Sequence, residues 1–257
     1  MVQSYLDINH ETAQAIRLIV TDIDGTLTED GEYFDGDVTE AISRLEAQGI
    51  MVGLASGRTM ARLETLARDW KISGPLIAEN GAVARLKAGG KPIDLGYSRE
   101  PAIKDYNRLK KIFPRVTLPL ERNRNRLIDM VIDLPDVATE TLNGYLENTE
   151  LLDSGYMVHI LPKGISKGQT LFSLLDRLAD GGLKTGNLLV IGDSKTDLSL
   201  FQLFPHSVLV LNPGLPPDTR QTLEEAATYV STLPFGKGFT AVCTHLLSLR
   251  VGLEDST

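Results

Sequence analysis

One cysteine in 257 residues, Cys243, excludes an intrachain disulfide and any cysteine-rich zinc site. Its apolar neighbours mark it as a packed thiol rather than a nucleophile. No run approaches the ~18 apolar residues of a membrane span, and Met1 to Gln14 carries acids without an apolar stretch of signal-peptide length. Cytoplasm is the expected compartment. Positive charge is also scarce, with 26 Lys and Arg against 34 Asp and Glu, a formal net charge of −8 and a pI near 5.1. That balance argues against a general binder of nucleic acid or of anionic membrane, yet allows a local basic pocket for a small phosphate. Repeats and low-complexity tracts are missing. The densest basic cluster, Glu121-Arg122-Asn123-Arg124-Asn125-Arg126, lacks interleaved aromatics and reads as a solvated loop rather than an RNA site. What is present, 42% hydrophobic and 23% charged residues, suffices for a sizeable core.

The chain is organised around Arg17 to Thr28. The apolar, β-branched run Leu18-Ile19-Val20-Thr21 has strand length and ends in two acids, Asp22 and Asp24, followed by Gly25, which permits a sharp turn. A parallel sheet presents its ligand site at the carboxyl ends of its strands, where these acids would emerge. Two neighbouring carboxylates repel unless they share a proton or a cation, so Mg²⁺ or a division of acid and base roles is expected. A calcium loop does not fit, because Gly25 stands fourth and Tyr33 twelfth, where an EF-hand needs Gly sixth and Glu twelfth.

Taken in order, residues 1 to 15 read as a frayed arm or short helix. A helix opens at Asp37 as N-cap and closes at Gly49. The strand Ile50 to Ala55 ends in Ser56-Gly57-Arg58, a helix follows from Met60 to Trp70, and the strand Pro75 to Ala78 ends in Glu79-Asn80-Gly81. From about Val83 the pattern changes to strand, turn, strand, helix (Ala102 to Phe113), strand (Leu127 to Leu134), helix (Val137 to Asn148) and strand (Tyr156 to Leu161), an α+β insert. The first pattern then resumes. Ser166-Lys167-Gly168 opens a helix, Leu188 to Ile191 is a strand ending in Gly192-Asp193-Ser194-Lys195-Thr196-Asp197, Ser207 to Leu211 and Thr228 to Val230 are strands, and a helix runs from Thr240 to about Leu249 before a loose end at Gly252 to Thr257. The expected fold is α/β, a Rossmann-like doubly wound parallel sheet over residues 1–84 and 163–257, with a smaller α+β cap over residues 85–162.

Each core strand ends in a different polar group: Asp22 and Asp24, Ser56, Asn80, Asp193 and Asp197, with Lys167 opening a helix nearby. Parallel strands bring these to one edge, which suits phosphoryl transfer. Carboxylates hold Mg²⁺, the metal and a lysine offset phosphate charge, and a hydroxyl with backbone N–H groups takes the remaining oxygens. Asp22 is the candidate nucleophile, giving an aspartyl-phosphate, and Asp24 the group that protonates the leaving alcohol and then activates water. Singly, each residue has a structural explanation as a turn, a cap or a solvated face. Jointly, they would need several coincidences on one edge.

Asp22-Ile23-Asp24-Gly25-Thr26-Leu27-Thr28, Ser56-Gly57-Arg58, Lys167 and Gly192 to Asp197 resemble, in order and spacing, the four motifs of the haloacid dehalogenase superfamily of phosphatases. The resemblance implies Asp22 as nucleophile, Asp24 as general acid/base with its carbonyl on Mg²⁺, and Ser56 and Lys167 on the phosphate. It further implies Asp193 as metal ligand and Asp197 beside Lys167 or the metal's water, so that Asp22, Asp24, Asp193 and Asp197 form the metal group. Gly57, Arg58 and Asn80 join Ser56 and Lys167 as the substrate-binding set. The insert then lies between the second and third motifs as a cap. Within that subgroup, Gly74 to Ala82, Ser154-Gly155-Tyr156 with His159, and Gly164 to Lys167 are similar to archaeal-type phosphoglycolate phosphatases. Sucrose-phosphate and mannosyl-3-phosphoglycerate phosphatases share much of the core. A phosphomutase is the other enzyme class in view, and a receiver domain, about half this length, has no cap. A small phosphate ester is the expected partner, with the chain a monomer or homodimer. Arg122, Arg124 and Arg126 are candidates for a substrate carboxylate or for surface ion pairs, and His159, in an apolar strand, reads as a structural histidine before a substrate contact.

Overall fold

The computed structural model describes residues 2–29, 31–134, 138–154 and 157–251. The expected helix start at Val137, the strand start at Tyr156, Gly155 and the tail from Gly252 lie outside them. Among the described residues twelve strands form two sheets: β1 (Gln3–Ser4), β2 (Leu18–Thr21), β3 (Met51–Ala55), β4 (Leu76–Ala78), β5 (Val83–Arg85), β6 (Pro92–Ile93), β7 (Met130–Ile132), β8 (Thr149–Asp153), β9 (Val158–Pro162), β10 (Leu188–Gly192), β11 (Ser207–Leu211) and β12 (Tyr229–Pro234). Nine of them make one sheet in the order β1-β12-β11-β10-β2-β3-β4-β5-β6, parallel from β1 to β4, while β7-β9-β8 form a separate antiparallel sheet.

All four residues of β2 are buried, as expected of a parallel strand covered on both faces. Its alternation divides them between two cores. Ile19 packs with the helices Gly36–Ala47 and Phe235–Val251, whereas Leu18 and Val20 pack with the helix Lys167–Leu174. The chain departs from β2 towards β3 and β4 on one side and arrives at β10 on the other, so β2 and β10 flank the point where the winding reverses, the usual place for a ligand crevice. The second sheet has its own core, in which Met130, Ile132 and Ile160 meet Ala102 and Leu109 of the helix Glu100–Ile112. The architecture is an α/β core with a small inserted α+β unit. Among the described residues no helix is long and apolar enough to cross a membrane.

Several local expectations are corrected. The strand-turn-strand after Val83, grouped above with the insert, is a hairpin hydrogen-bonded antiparallel to β4 and so extends the large sheet. The helix expected to start at Asp37 starts at Gly36, because Asp35 is its N-cap and accepts from the Asp37 N–H. In the stretch expected to be helical up to Asn148, the helix is Thr139–Asn143, and β8 follows at Thr149. Leu142 and Leu146 carry helical spacing, yet both serve the core of the insert, and Gly144 ends the helix between them. The last helix starts at Phe235 rather than Thr240. Gly236 and Gly238 lie within it as points of close approach: a Cβ on Gly236 would lie 2.6 Å from Val38 Cγ2, and one on Gly238 2.3 Å from the Leu233 carbonyl oxygen.

The same logic positions Lys167. Ser166 caps its helix by accepting from the Gln169 N–H, and a Cβ on Gly168 would lie 2.2 Å from the Ser199 carbonyl oxygen. Gly168→Ala is therefore expected to destabilise the fold by about 1–3 kcal/mol through overpacking, read as a lower midpoint of urea unfolding. An unchanged midpoint would show that this backbone approach is not tight.

Candidate active site

Asp22 follows β2, Ser56 follows β3, Asn80 lies just past β4, and Asp193 follows β10, all at carboxyl ends of parallel strands. Asp22 stays in register by donating its N–H to the Ile191 carbonyl at 2.9 Å. Gly25, at φ +86°, is required here, because a Cβ would sit 2.2 Å from Asp193 Oδ2. Asp22, Asp24, Ser56, Gly57, Arg58, Asn80 and Lys167 all line one cavity of about 360 Å³, which Arg126, Ser154, Met157 and His159 close from the insert.

The centre is a buried charge cluster. Lys167 Nζ lies 2.9 Å from Asp22 Oδ1 and donates to Asp197 Oδ1 at 2.8 Å. Burial alone would lower the pKa of Lys167, but Asp197 and Asp22 outweigh it and hold the ammonium well above its usual range. Asp197 Oδ2 accepts from the N–H groups of Asp193 and Ser194, both at 3.1 Å, and from Ser194 Oγ at 3.2 Å. Both oxygens of Asp197 are thus engaged by this chain. Asp193 accepts from Thr26 Oγ1 and from Asn212 Nδ2, each at 2.7 Å. Burial and the Asp197 charge push Asp193 up to about 7, against the hydrogen bonds from Thr26 and Asn212. Asp22 is raised well above the carboxylate range, first by burial, with Lys167 opposing and the three neighbouring acids adding to it.

Carboxylate oxygens of Asp22, Asp193 and Asp197 lie within 4.8 Å of one another, and all three residues are buried. Three acids against one ammonium leave an excess of negative charge out of water, and hard oxygen donors are what Mg²⁺ takes. The donor set therefore fits a divalent cation. Asp197 is the acid least available to it, since its oxygens are already hydrogen-bonded. Asp24, counted above with the metal group, directs its side chain elsewhere: Arg58 pairs with it through Nε at 2.9 Å and Nη2 at 2.5 Å. That guanidinium also donates to the Gly31 carbonyl and lies over the Phe34 ring. Arg58, expected on the substrate, lines the cavity but is engaged with Asp24.

Ser56 is fully buried and accepts from the Arg58 N–H at 3.2 Å. Asn80, 2% exposed and at φ 57°, lines the cavity with both polar atoms of its side chain lacking a partner among the described residues. A buried amide without partners costs free energy, so a ligand there would recover its hydrogen bonds. Of the basic cluster, Arg122 is half exposed and pairs with Asp133, Arg124 is exposed, and only Arg126 reaches the cavity. Arg126 Nη1 donates to both oxygens of Asp129 and to the Gly57 carbonyl at 3.0 Å. His159, expected to be structural, lines the cavity with Nδ1 2.6 Å from Asp129 Oδ2.

Thr26, Asn212, Glu79 and Asp129 received no role in the sequence reading. Asn212 had a signal, since it ends a core strand as the other polar groups do; Asp129 had none. Glu79, buried at φ 52°, accepts from the N–H groups of Leu127, Ile128 and Asp129 at 2.7, 2.8 and 3.0 Å, joining core to insert.

An α/β sheet with a buried acid cluster at its winding reversal, beside a cavity walled by the insert, is a site that could hold a divalent cation next to an anionic ligand. The chain belongs to the haloacid dehalogenase-like hydrolase family, which it matches over residues 19–129 and 97–232. It is 32% identical to phosphoglycolate phosphatase 1 of Saccharolobus solfataricus (90% of this chain, 96% of the relative). It is 29% identical to the phosphoglycolate phosphatase of Methanospirillum hungatei (88% and 95%). Among solved structures, a Thermoplasma acidophilum protein superposes with a TM-score of 0.76 at 25% identity, covering 91% of this chain and 99% of that one.

Burial and the nearby Asp129 charge raise Glu79 to about 6, against its three backbone hydrogen bonds. A raised acid holds its proton longer in the folded state, so stability is greatest below the unfolded value of 4.5 and falls as pH rises to about 6. The loss amounts to about 2 kcal/mol at most. Urea unfolding between pH 4 and 7 is expected to show a falling stability to which the raised Asp22 and Asp193 add, and Glu79→Gln to be shallower by up to about 2 kcal/mol; an identical slope in both chains would assign it to the other groups alone.

Proposed function

We propose that the chain is a phosphatase of small phosphate esters, with 2-phosphoglycolate the first substrate to test because relatives covering most of the chain bear that name. The observation that carries the reading is Asp22, a carboxylate at a strand end, held by a buried lysine and open to a cavity. Asp22 attacks phosphorus, the ester P–O bond breaks, and the leaving alkoxide takes a proton from Asp24. Asp24 then accepts a proton from a water that attacks the aspartyl-phosphate, releasing inorganic phosphate and restoring Asp22. Arg58 orients Asp24, while Lys167, Ser56, Asn80 and the backbone at Gly57 take the phosphoryl oxygens. Asp197 orients Lys167 and the turn that carries Asp193.

Asp22 and Asp193 would hold Mg²⁺, with the Asp24 carbonyl as a further ligand; the bound ion offsets the charge of carboxylate and phosphate, which otherwise repel. In this reading residues 1–84 and 163–257 carry the chemistry. The insert, residues 85–162 apart from the strand that joins the large sheet, is a cap that selects the substrate.

Asp22→Asn is expected to lower phosphate release from 2-phosphoglycolate by roughly 10³-fold or more. Its melting temperature should stay equal or rise, since a buried like charge is removed while Lys167 keeps Asp197. Full activity would refute the nucleophile. Chelation with EDTA should abolish turnover and added Mg²⁺ restore it, whereas activity that survives thorough chelation would exclude the metal.

A further inference from the structure

The insert contributes one polar side chain whose free end the proposed chemistry does not use. Among the described residues, no hydrogen bond reaches His159 Nε2, although the ring is 2% exposed and lines the cavity. Its other nitrogen is committed. Asp129 is fully buried; burial alone would raise its pKa, and His159 and Arg126 outweigh that and hold it below the usual carboxylate value. An ionised carboxylate only accepts, so Nδ1 donates to it and Nε2 is the atom left for a ligand.

We propose that His159, aimed by Asp129, is the specificity residue of the insert and reads a carboxylate on the leaving group of the substrate through Nε2. The inference rests on the phosphatase reading and adds to it the chemistry of the leaving group. Nε2 aside, the polar side chains of the insert that line the cavity offer no unengaged acceptor among the described residues. Both Asp129 oxygens are taken by Arg126 and His159. The Ser154 hydroxyl is closed on its own turn, donating to the Met157 carbonyl and accepting from the Met157 N–H. Met157 is apolar. Arg62, an exposed residue of the core, lines the same cavity and makes no ion pair among the described residues. A polyhydroxylated leaving group would need several acceptors, and beyond Nε2 the described side chains of this wall have theirs engaged, whereas a carboxylate only accepts. With a carboxylate at Nε2, the ring binds as the doubly protonated cation between two anions.

The aim of the ring depends on the seam between the two units. Glu79 pins the backbone of residues 127–129, and Arg126 spans from the Gly57 carbonyl to Asp129. Asp129 is thus a positioning residue, held from the core at the turn that carries Ser56.

The test compares 2-phosphoglycolate with 2-hydroxyethyl phosphate, in which a hydroxymethyl group stands where the substrate has its carboxylate, using the full chain with Mg²⁺. Wild type is expected to prefer the carboxylate ester. His159→Asn should lower the ratio of the two kcat/KM values by about tenfold or more, chiefly through KM for 2-phosphoglycolate. His159→Gln, whose amide nitrogen reaches near the place of Nε2, should recover part of it. Asp129→Asn should shift the ratio in the same direction. A ratio within about threefold of wild type in a folded His159→Asn or Asp129→Asn chain overturns the inference, as does a wild-type preference for the neutral ester. A wild-type chain active on neither ester would overturn 2-phosphoglycolate as substrate and this inference with it, and release of phosphate from other esters would leave the phosphatase reading standing.

Discussion

A single buried ammonium holds the site together. Lys167 lies between Asp22 and Asp197 and offsets the charge of three buried acids whose carboxylate oxygens lie within 4.8 Å of one another. Charges of one sign in such a place either take protons or recruit a cation. The lysine neutralises part of the excess and leaves the remainder for a divalent ion. It does so from the first residue of a helix, where the backbone dipole disfavours positive charge, so the two carboxylates must outweigh both burial and the dipole. The arrangement needs the helix to lie close. Ser166 caps it, and Gly168 brings its backbone against Ser199.

Asp197 shows how structure and chemistry are divided among similar residues. One of its oxygens holds the lysine, and the other gathers the N–H groups of Asp193 and Ser194, shaping the turn from which Asp193 projects. Asp193 in turn rests on Thr26 and Asn212, side chains that follow different strands. The acids are therefore not interchangeable. Some hold the frame, and others remain open to ligands.

The seam between core and insert follows the same rule of paired buried charge. Glu79 meets three successive backbone N–H groups of the insert, and Arg126 and Asp129 close a second connection to the turn after β3. A cavity wall on the insert is thereby set by two turns of the core. In the proposed reaction, selection of the leaving group and attack on phosphorus would share one support.

Much of this was legible in the order of residues. An apolar run that ends in a polar residue marks a buried parallel strand and its rim, and four such endings, at Asp22, Ser56, Asn80 and Asp193, define one edge legible in the sequence. The hairpin of β5 and β6 was misassigned because short strands carry no sign of which sheet they join; hydrogen-bond partners decide that. Likewise, periodicity could not tell a five-residue helix from a longer one, since Leu142 and Leu146 fit both. Linear order revealed which residue types stand at the strand ends, because hydrophobic patterning and turn chemistry are local. It could not reveal that Arg58 would answer Asp24, that Arg126 alone of three arginines would turn inward, or that His159 would find Asp129. Those pairings depend on side chains from distant segments meeting in a dry space, and only the packed chain fixes such distances.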